Sequence, residues 1–330
     1  MKKCLSFLLS ALLLSCSAFA QINIDTSKLI SDNKQLYAVV ISRNDKLIYN
    51  KYYNGKSGNE LFNNQSLTKS VMSLLIGIAI DKGYISSVDE KIVKYFPELK
   101  QDTDKRKQEI TIRMIMNQAS GLWHEDLTRL GQYLSLPDQS GYILKQPLVS
   151  EPGKVFHYNN AGTHLLSAIL TKATGMTTLQ FANKYLFGPM SVRDVVWGKM
   201  KDGYYDGCGL LSVQLHTTDL NRITSLLLHE GKFNGKQIIP ARWIRELLQP
   251  AIFYKTDWGF EGSTYALCFY HYNYKNSPVT YGLGWGGQFT FVISDKKAVV
   301  TVNESIADAT AIRASNLFLF RIFPLIYKQL

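Results

Sequence analysis

An α+β fold is expected of this chain, and three observations lead to it. Runs of β-branched and aromatic residues crowd both ends of the sequence, helical apolar patterns fill its middle, and no internal repeat or low-complexity tract interrupts it. At the N-terminal end, Leu36 to Ile41 and Lys46 to Tyr53 alternate as strands across Arg43, Asn44 and Asp45, which predicts a hairpin. Gln65 to Tyr84 then carries apolar side chains on almost every side, so it reads as a helix buried all round, with Asn63 or Asn64 capping its start. Residues from about Asp89 to Gln118 look helical with breaks. Gly121 to Gly153, with Pro137, Pro147 and Pro152 among glycines and polar residues, reads as a long irregular loop. A second helix from Ala161 to Ala173 stops at Gly175.

Leu210 to Leu248 is helical again, with a turn at Gly231 to Lys236. Strand composition returns at Tyr265 to Tyr272, Gln288 to Ser294 and Ala298 to Asn303, with Asp295 and Lys296 turning the last pair. Ala309 to Leu330 closes the chain as an apolar-rich helix. Sheet at both ends with helices between predicts that the N- and C-terminal segments meet in one antiparallel sheet, flanked by helices and carrying a mostly helical middle lobe.

The first twenty residues read as an export signal: Lys2 and Lys3, the apolar run Leu5 to Leu14, then the small-residue site Ala18-Phe19-Ala20. The protein would then be periplasmic or secreted, with residues 21–330 as one domain and no membrane span once the signal is removed. The alternative uses Leu13-Leu14-Ser15-Cys16 as a lipoprotein box that leaves Cys16 acylated. A hydrophobic content of 46% with 19% charged residues suits a globular body. The formal charge of +11 is spread over basic residues interleaved with acids, without the ordered basic stripe and stacking aromatics that nucleic-acid binding calls for. Cys4 and Cys16 lie in the signal, leaving Cys208 and Cys268 either as two free thiols or as a pair.

Chemistry concentrates in three places. Ser66-Leu67-Thr68-Lys69 opens the buried helix, and residues three apart share a helix face, so a hydroxyl and an amine meet there. Burial should lower the Lys69 pKa toward neutrality so that it activates Ser66, while the helix start favours negative charge on the attacking oxygen. Tyr158-Asn159-Asn160 precedes the second helix. The Tyr158 hydroxyl can relay a proton among Ser66, Lys69 and a leaving group, and the Asn160 amide can hold Lys69 on one side and a substrate carbonyl on the other. Gly284-Trp285-Gly286-Gly287-Gln288 precedes a strand, where paired glycines including Gly287 let a backbone run close to a ligand and an N–H can complete an oxyanion hole with that of Ser66.

Taken alone, each motif has an ordinary structural explanation: a surface helix, an aromatic staple, a glycine turn. In this order and on these elements, together with Ala119-Ser120-Gly121-Leu122 and Glu151-Pro152-Gly153, they resemble the serine beta-lactamase and penicillin-binding protein superfamily. The likeness is to its class C-like esterase and amidase branch, which includes the 6-aminohexanoate-dimer hydrolase type. The resemblance implies a beta-lactamase/transpeptidase-like fold, no cofactor and no metal. It puts the nucleophile on Ser66, the lysine on Lys69, the tyrosine on Tyr158, the asparagine on Asn160 and the oxyanion amide on Gln288. Trp285 stands where many relatives carry a carboxylate-binding cation, which points to a small-molecule or peptide-like ester or amide rather than to efficient beta-lactam turnover.

Rival chemistries lack their signatures. There is no Gly-x-Ser-x-Gly elbow, no His-Glu-x-x-His and no Cys-x-x-Cys, and Gly282, Gly284 and Gly286 precede a strand where a dinucleotide fingerprint would open a helix. His157 reads as a loop residue near the cleft. The remaining alternative is a non-catalytic envelope module that keeps the fold and binds peptidoglycan or a protein partner.

Overall fold

The computed structural model describes residues 25–126, 128–250, 252–253, 259–306 and 311–330. The export signal, the Cys16 lipoprotein site and the first residues of the closing helix fall outside them.

After a short helix α1 (Thr26–Asp32), the predicted hairpin forms as β1 (Leu36–Arg43) and β2 (Lys46–Tyr52). Two short strands, β3 (Phe62–Asn63) and β4 (Val196–Trp197), join β5 (Val213–Leu215) in a small sheet. β6 (Lys232–Phe233) and β7 (Lys236–Gln237) form the turn expected near Gly231. Late in the chain come β8 (Ile252–Phe253), β9 (Thr264–Ala266), β10 (Phe269–Tyr274), β11 (Ser277–Gly284), β12 (Gln288–Ile293) and β13 (Ala298–Glu304). Among the described residues, eight strands make one antiparallel sheet in the order β2-β1-β13-β12-β11-β10-β9-β8. The termini therefore meet as expected: β13 lies between β12 and β1, with Val39 opposite Val302 and Ile41 opposite Val300.

Alternation along the central strands assigns the two faces. Phe289, Phe291 and Ile293, with Ala298, Val300 and Val302, pack into a cluster with Phe318, Ile322, Phe323 and Ile326 of the closing helical segment. That segment runs as α10 (Ala311–Leu317), a π-helical stretch over Phe318–Ile322, and α11 (Phe323–Gln329). Val292 and Val299 face the other way, into the larger core of the helical lobe. There α2 (Leu67–Asp81) and α8 (Thr217–Ser225) lie on the sheet. On α8, the buried Asn221 donates through Nδ2 to Val40 O, Val299 O and Thr301 Oγ1, tying the helix to β1 and β13.

The remaining lobe is helical. Three 3₁₀ turns and α3 (Ile112–Met116) fill the stretch that read as helix with breaks. α6 (Asn160–Thr174) ends on a left-handed Gly175, and α7 (Thr178–Ala182) and α9 (Ala241–Leu247) complete it.

Two expectations change. The stretch from Gly121 to Gly153 is not all loop, since it holds α4 (Leu130–Ser135) and α5 (Gln139–Lys145), the latter capped by Asp138 accepting from Gly141 N at 2.8 Å. The strand expected over Tyr265 to Tyr272 is two strands joined at Leu267 and Cys268, both at positive φ (46° and 69°). Leu and Cys carry no turn signal. The turn is held from outside, by Asn117 Oδ1 accepting from Leu267 N (2.8 Å) and Met116 O accepting from Cys268 N (3.0 Å). Between β10 and β12, β11 is a full strand that was not among the expected elements, and it contains Pro278 and two glycines.

Its glycines have a steric role. A Cβ on Gly284 would stand 2.6 Å from Asn64 O, and one on Gly282 would stand 2.9 Å from Ser70 Oγ. The N-terminal turn of α2 thus seats directly on β11. Gly282→Val should lift that seat and cost about 2 kcal/mol by overpacking, read as a lower urea midpoint at unchanged m-value.

Candidate active site

Ser66 occupies the cap position at the start of α2, and Gln65 before it is held at φ 49°, a left-handed conformation costly for a non-glycine residue. The expected capping by Asn63 or Asn64 does not occur. Asn63 Oδ1 instead accepts from Gln65 N (3.0 Å) and Nε2 (2.8 Å), and Ser212 Oγ also accepts from Gln65 N at 3.0 Å. Asn64 donates to Val213 O and accepts from Asn303 Nδ2. These bonds stabilise the strained turn and leave the Ser66 hydroxyl with no capping bond to make, so it faces Lys69.

Lys69 is 1% exposed and spends all three ammonium protons: on Ser66 Oγ at 3.1 Å, on Asn160 Oδ1 at 2.6 Å and on Cys208 O. The Tyr158 ring centroid lies 4.8 Å from its Nζ. The expected fall of the Lys69 pKa toward neutrality is not found. Burial, the largest influence, pulls it down, but Tyr158, Cys208 and Asp206 around it hold it above the ordinary lysine range. Lys69 rests as an ammonium.

The two asparagines after Tyr158 divide their work. Asn159 caps α6, accepting from Gly162 N at 2.6 Å, and donates to Leu122 O and Trp123 O. Asn160 turns its oxygen to Lys69 and gives one of its two N–H groups to Glu125 Oε1 at 2.5 Å. Glu125, 7% exposed, also accepts from Ala161 N at the start of α6, where a helix favours an anion.

Cys208 reaches Lys69 through a loop built on one buried acid. The Asp206 carboxylate accepts from four backbone amides, those of Cys208, Gly209, Leu211 and Ser212, at 2.7 to 2.9 Å, and from Cys208 Sγ at 2.9 Å. Gly209, at φ 104°, lies so close that a Cβ would stand 2.7 Å from Ser66 N. Glu125 and Asp206 were not singled out from sequence. Their only signals were an acid three residues past Gly121-Leu122 and an Asp at the start of a Gly-Cys-Gly stretch. Cys208 and Cys268 are free and buried, and burial pushes both thiols up, Cys268 to about 12.

The third motif divides. Gly284 is its point of contact with the turn before Ser66. Trp285 is half-buried on the turn that follows. Gly286 and Gly287 make their close approach to protein, not to open space: a Cβ on Gly286 would stand 2.7 Å from Ser305 O, and one on Gly287 would overlap the Glu304 carboxylate. Gln288 pairs with Gly284 across the turn and turns its side chain toward Glu304 O (2.8 Å) and Asn303 Nδ2 (3.0 Å). Next to the Tyr158-Asn159 segment, Trp123 packs edge-on against Tyr142 of α5, and His157 stacks on His124 with centroids 5.3 Å apart. Among the described residues, no three His, Cys, Asp or Glu side chains gather as a metal site would require.

The arrangement supplies a hydroxyl held against a buried cation, a phenol ring beside that cation, and amides at a helix start. A family model described as Beta-lactamase matches residues 35–313. Beta-lactamase-like protein 4 of Dictyostelium discoideum is 28% identical over 236 residues, which is 66% of this chain and 40% of that protein. The chain thus spans less than half the length of that relative. Among solved structures, one from Bacillus anthracis assigned to the 6-aminohexanoate-dimer hydrolases superposes with a TM-score of 0.72 at 18% identity, over 92% of this chain and 82% of that one. EstCE1, a hydrolase with promiscuous acyltransferase activity, gives 0.71 at 14% identity over 91% and 96%.

Two outcomes follow from the buried acids. Asp206→Ala strands four backbone N–H groups and should cost about 3 kcal/mol in urea unfolding. Burial holds the Glu304 carboxyl well above its ordinary 4.5, against a single bond from Asn33. An acid raised in the folded state stabilises the fold less once the unfolded chain ionises, so stability should fall as pH rises from 4.5 through the raised value. Glu304→Gln should remove that decline, seen by comparing urea midpoints at acid and alkaline pH.

Proposed function

This chain belongs to the beta-lactamase family, and from that membership and the Ser66 geometry we infer that it is a serine hydrolase cleaving an ester or amide through an acyl-enzyme. The observation that carries the reading is the fully committed Lys69 ammonium 3.1 Å from Ser66 Oγ.

A lysine whose three protons are engaged does not serve as the resting base. The Ser66 proton passes instead through the Tyr158 hydroxyl, which takes it up as it releases its own proton toward the leaving group, and the adjacent Lys69 cation stabilises the partial negative charge on the phenol oxygen during the relay. Ser66 Oγ bonds to the substrate carbonyl carbon, the oxygen becomes an oxyanion, and Tyr158 hands the proton to the departing alcohol or amine as that bond breaks. Water then enters, gives its proton to Tyr158, and its oxygen displaces Ser66, which regains the proton. The oxyanion sits against the Ser66 N–H at the start of α2. The second donor follows the turn after β11. We keep the second N–H on Gln288, which opens β12 opposite Gly284, itself seated against the backbone before Ser66.

Trp285 offers apolar surface and one N–H where a cation would bind a carboxylate, and Trp123 with the segment to Val149, including α4 and α5, would shape the rest of the acyl pocket. This favours an uncharged small-molecule or peptide-like acyl group over a beta-lactam. The N-terminal Lys-rich and apolar run supports export, to the periplasm or beyond, or tethering at Cys16.

The test is hydrolysis of a short-chain p-nitrophenyl ester, a D-amino-acid amide and a chromogenic cephalosporin, with fluorophosphonate labelling alongside. Ser66→Ala should lose labelling and turnover outright, and Lys69→Ala should lose about 10³-fold in kcat/KM. Because the Lys69 pKa is raised, its ammonium persists, and activity should show no alkaline fall from this group until the pH passes the ordinary lysine value of 10.5. An unlabelled Ser66 with no turnover would make the chain a binding module.

A further inference from the structure

The last twenty residues cover the sheet with one face and leave another in solvent. Ala314, Phe318, Leu319, Ile322, Phe323 and Ile326 are buried, as amphipathic packing demands. The outer face is not the polar surface that normally completes such a helix. Phe320 is 55% exposed, Leu325 45% and Ile312 42%, and Phe320 is the one aromatic among the large exposed apolar side chains of the described residues. Around them stand Arg313, Arg321 and Lys328, all exposed. From Ala311 to Leu330 there is no Asp or Glu.

The same chemistry continues at the end of α11. Tyr327 packs edge-on against Tyr274 with centroids 4.8 Å apart, Lys296 Nζ lies 5.4 Å from the Tyr327 ring and Lys275 Nζ lies 5.6 Å from that of Tyr274. The neighbouring acid, Asp295, is engaged by Ser277 Oγ. Exposed apolar side chains set among cations, with tyrosines at the margin, are the surface an interfacial helix presents to lipid: the apolar groups enter the acyl boundary, the tyrosines sit at headgroup depth and the cations meet phosphate.

We propose that the outer face of the C-terminal helical segment docks on an anionic lipid bilayer. Charge selects the occupant. A second copy of the chain would bring the same row of cations against this one, whereas an anionic leaflet complements it. The docking face lies on the side of the sheet opposite α2, so it does not depend on the reading of Ser66.

The experiment is co-sedimentation with vesicles, using the chain from Gln21 onward, which retains every contact described above and lacks both the apolar N-terminal run and Cys16. Binding is expected to phosphatidylglycerol vesicles at moderate salt, weakly or not at all to phosphatidylcholine, and to fall as salt rises. The triple change Arg313→Ser, Arg321→Ser and Lys328→Ser should weaken it on the order of a hundredfold. Phe320→Ser with Leu325→Ser should weaken it at least about tenfold. All five positions are exposed, and unchanged thermal unfolding of the variants checks that they fold. Equal binding to both vesicle types, no binding at all, or variants that bind like the parent would overturn the proposal. So would sedimentation-velocity data showing a dimer that Phe320→Ser dissolves in the absence of lipid, which would give this face to a second copy.

Discussion

A buried ammonium governs this structure. Lys69 lies inside the interface between the helical lobe and the sheet, and an unpaired charge there would cost far more than the few kcal/mol by which a domain is stable. Three acceptors from three separate parts of the chain make the position tolerable: Ser66 on its own helix, Asn160 at the head of α6, and the Cys208 carbonyl. Each of these is in turn fixed by something else. Glu125 orients Asn160, and Asp206 gathers the loop that presents Cys208. The two carboxylates put negative charge near the cation without touching it, which leaves Lys69 free to face the serine.

The second constraint is steric. Ser66 must stand at a helix start yet remain near the end of a strand, and an ordinary helix-on-sheet packing distance would keep them apart. Gly282 and Gly284 remove that separation by letting the first turn of α2 sit on β11, and the left-handed Gln65 aims the chain into the helix from there. The strain at Gln65 is offset by side-chain bonds from Asn63 and Ser212. Close seating and local strain are therefore two sides of one arrangement, and both are located at the residue beside the nucleophile.

Periodicity made the sheet and the two long helices legible, because their apolar residues repeat over enough positions to reveal a face. The Ser66, Lys69, Tyr158 and Asn160 set was legible for a different reason: residue type and order sufficed, even though each fragment alone was ambiguous. What stayed hidden depends on contacts across the chain. Leu267 and Cys268 turn because α3 holds them, and β11 is a strand in spite of its glycines because those glycines receive a helix. Glu125 and Asp206 carry no local mark, since an acid acquires such a role only when folding surrounds it with donors. The misplaced expectation for Lys69 has the same origin. Burial was readable from the helix pattern, but the acceptors that outweigh it come from residues far along the sequence.

The sheet separates these demands. Along β12 and β13 every residue is buried, with alternate side chains going to opposite layers: Val292 and Val299 toward the helical lobe that holds the site, and Phe291 and Val300 toward the closing helices. A strand buried on both faces transmits little of what happens on one layer to the other unless its backbone moves, and here the backbone is locked into ladders on either side. The outer face of the last helix can accordingly carry a composition chosen for a lipid surface, with no cost to the geometry around Ser66. A protein held on a bilayer by that face would keep its cleft on the far side of the sheet, turned toward soluble substrates.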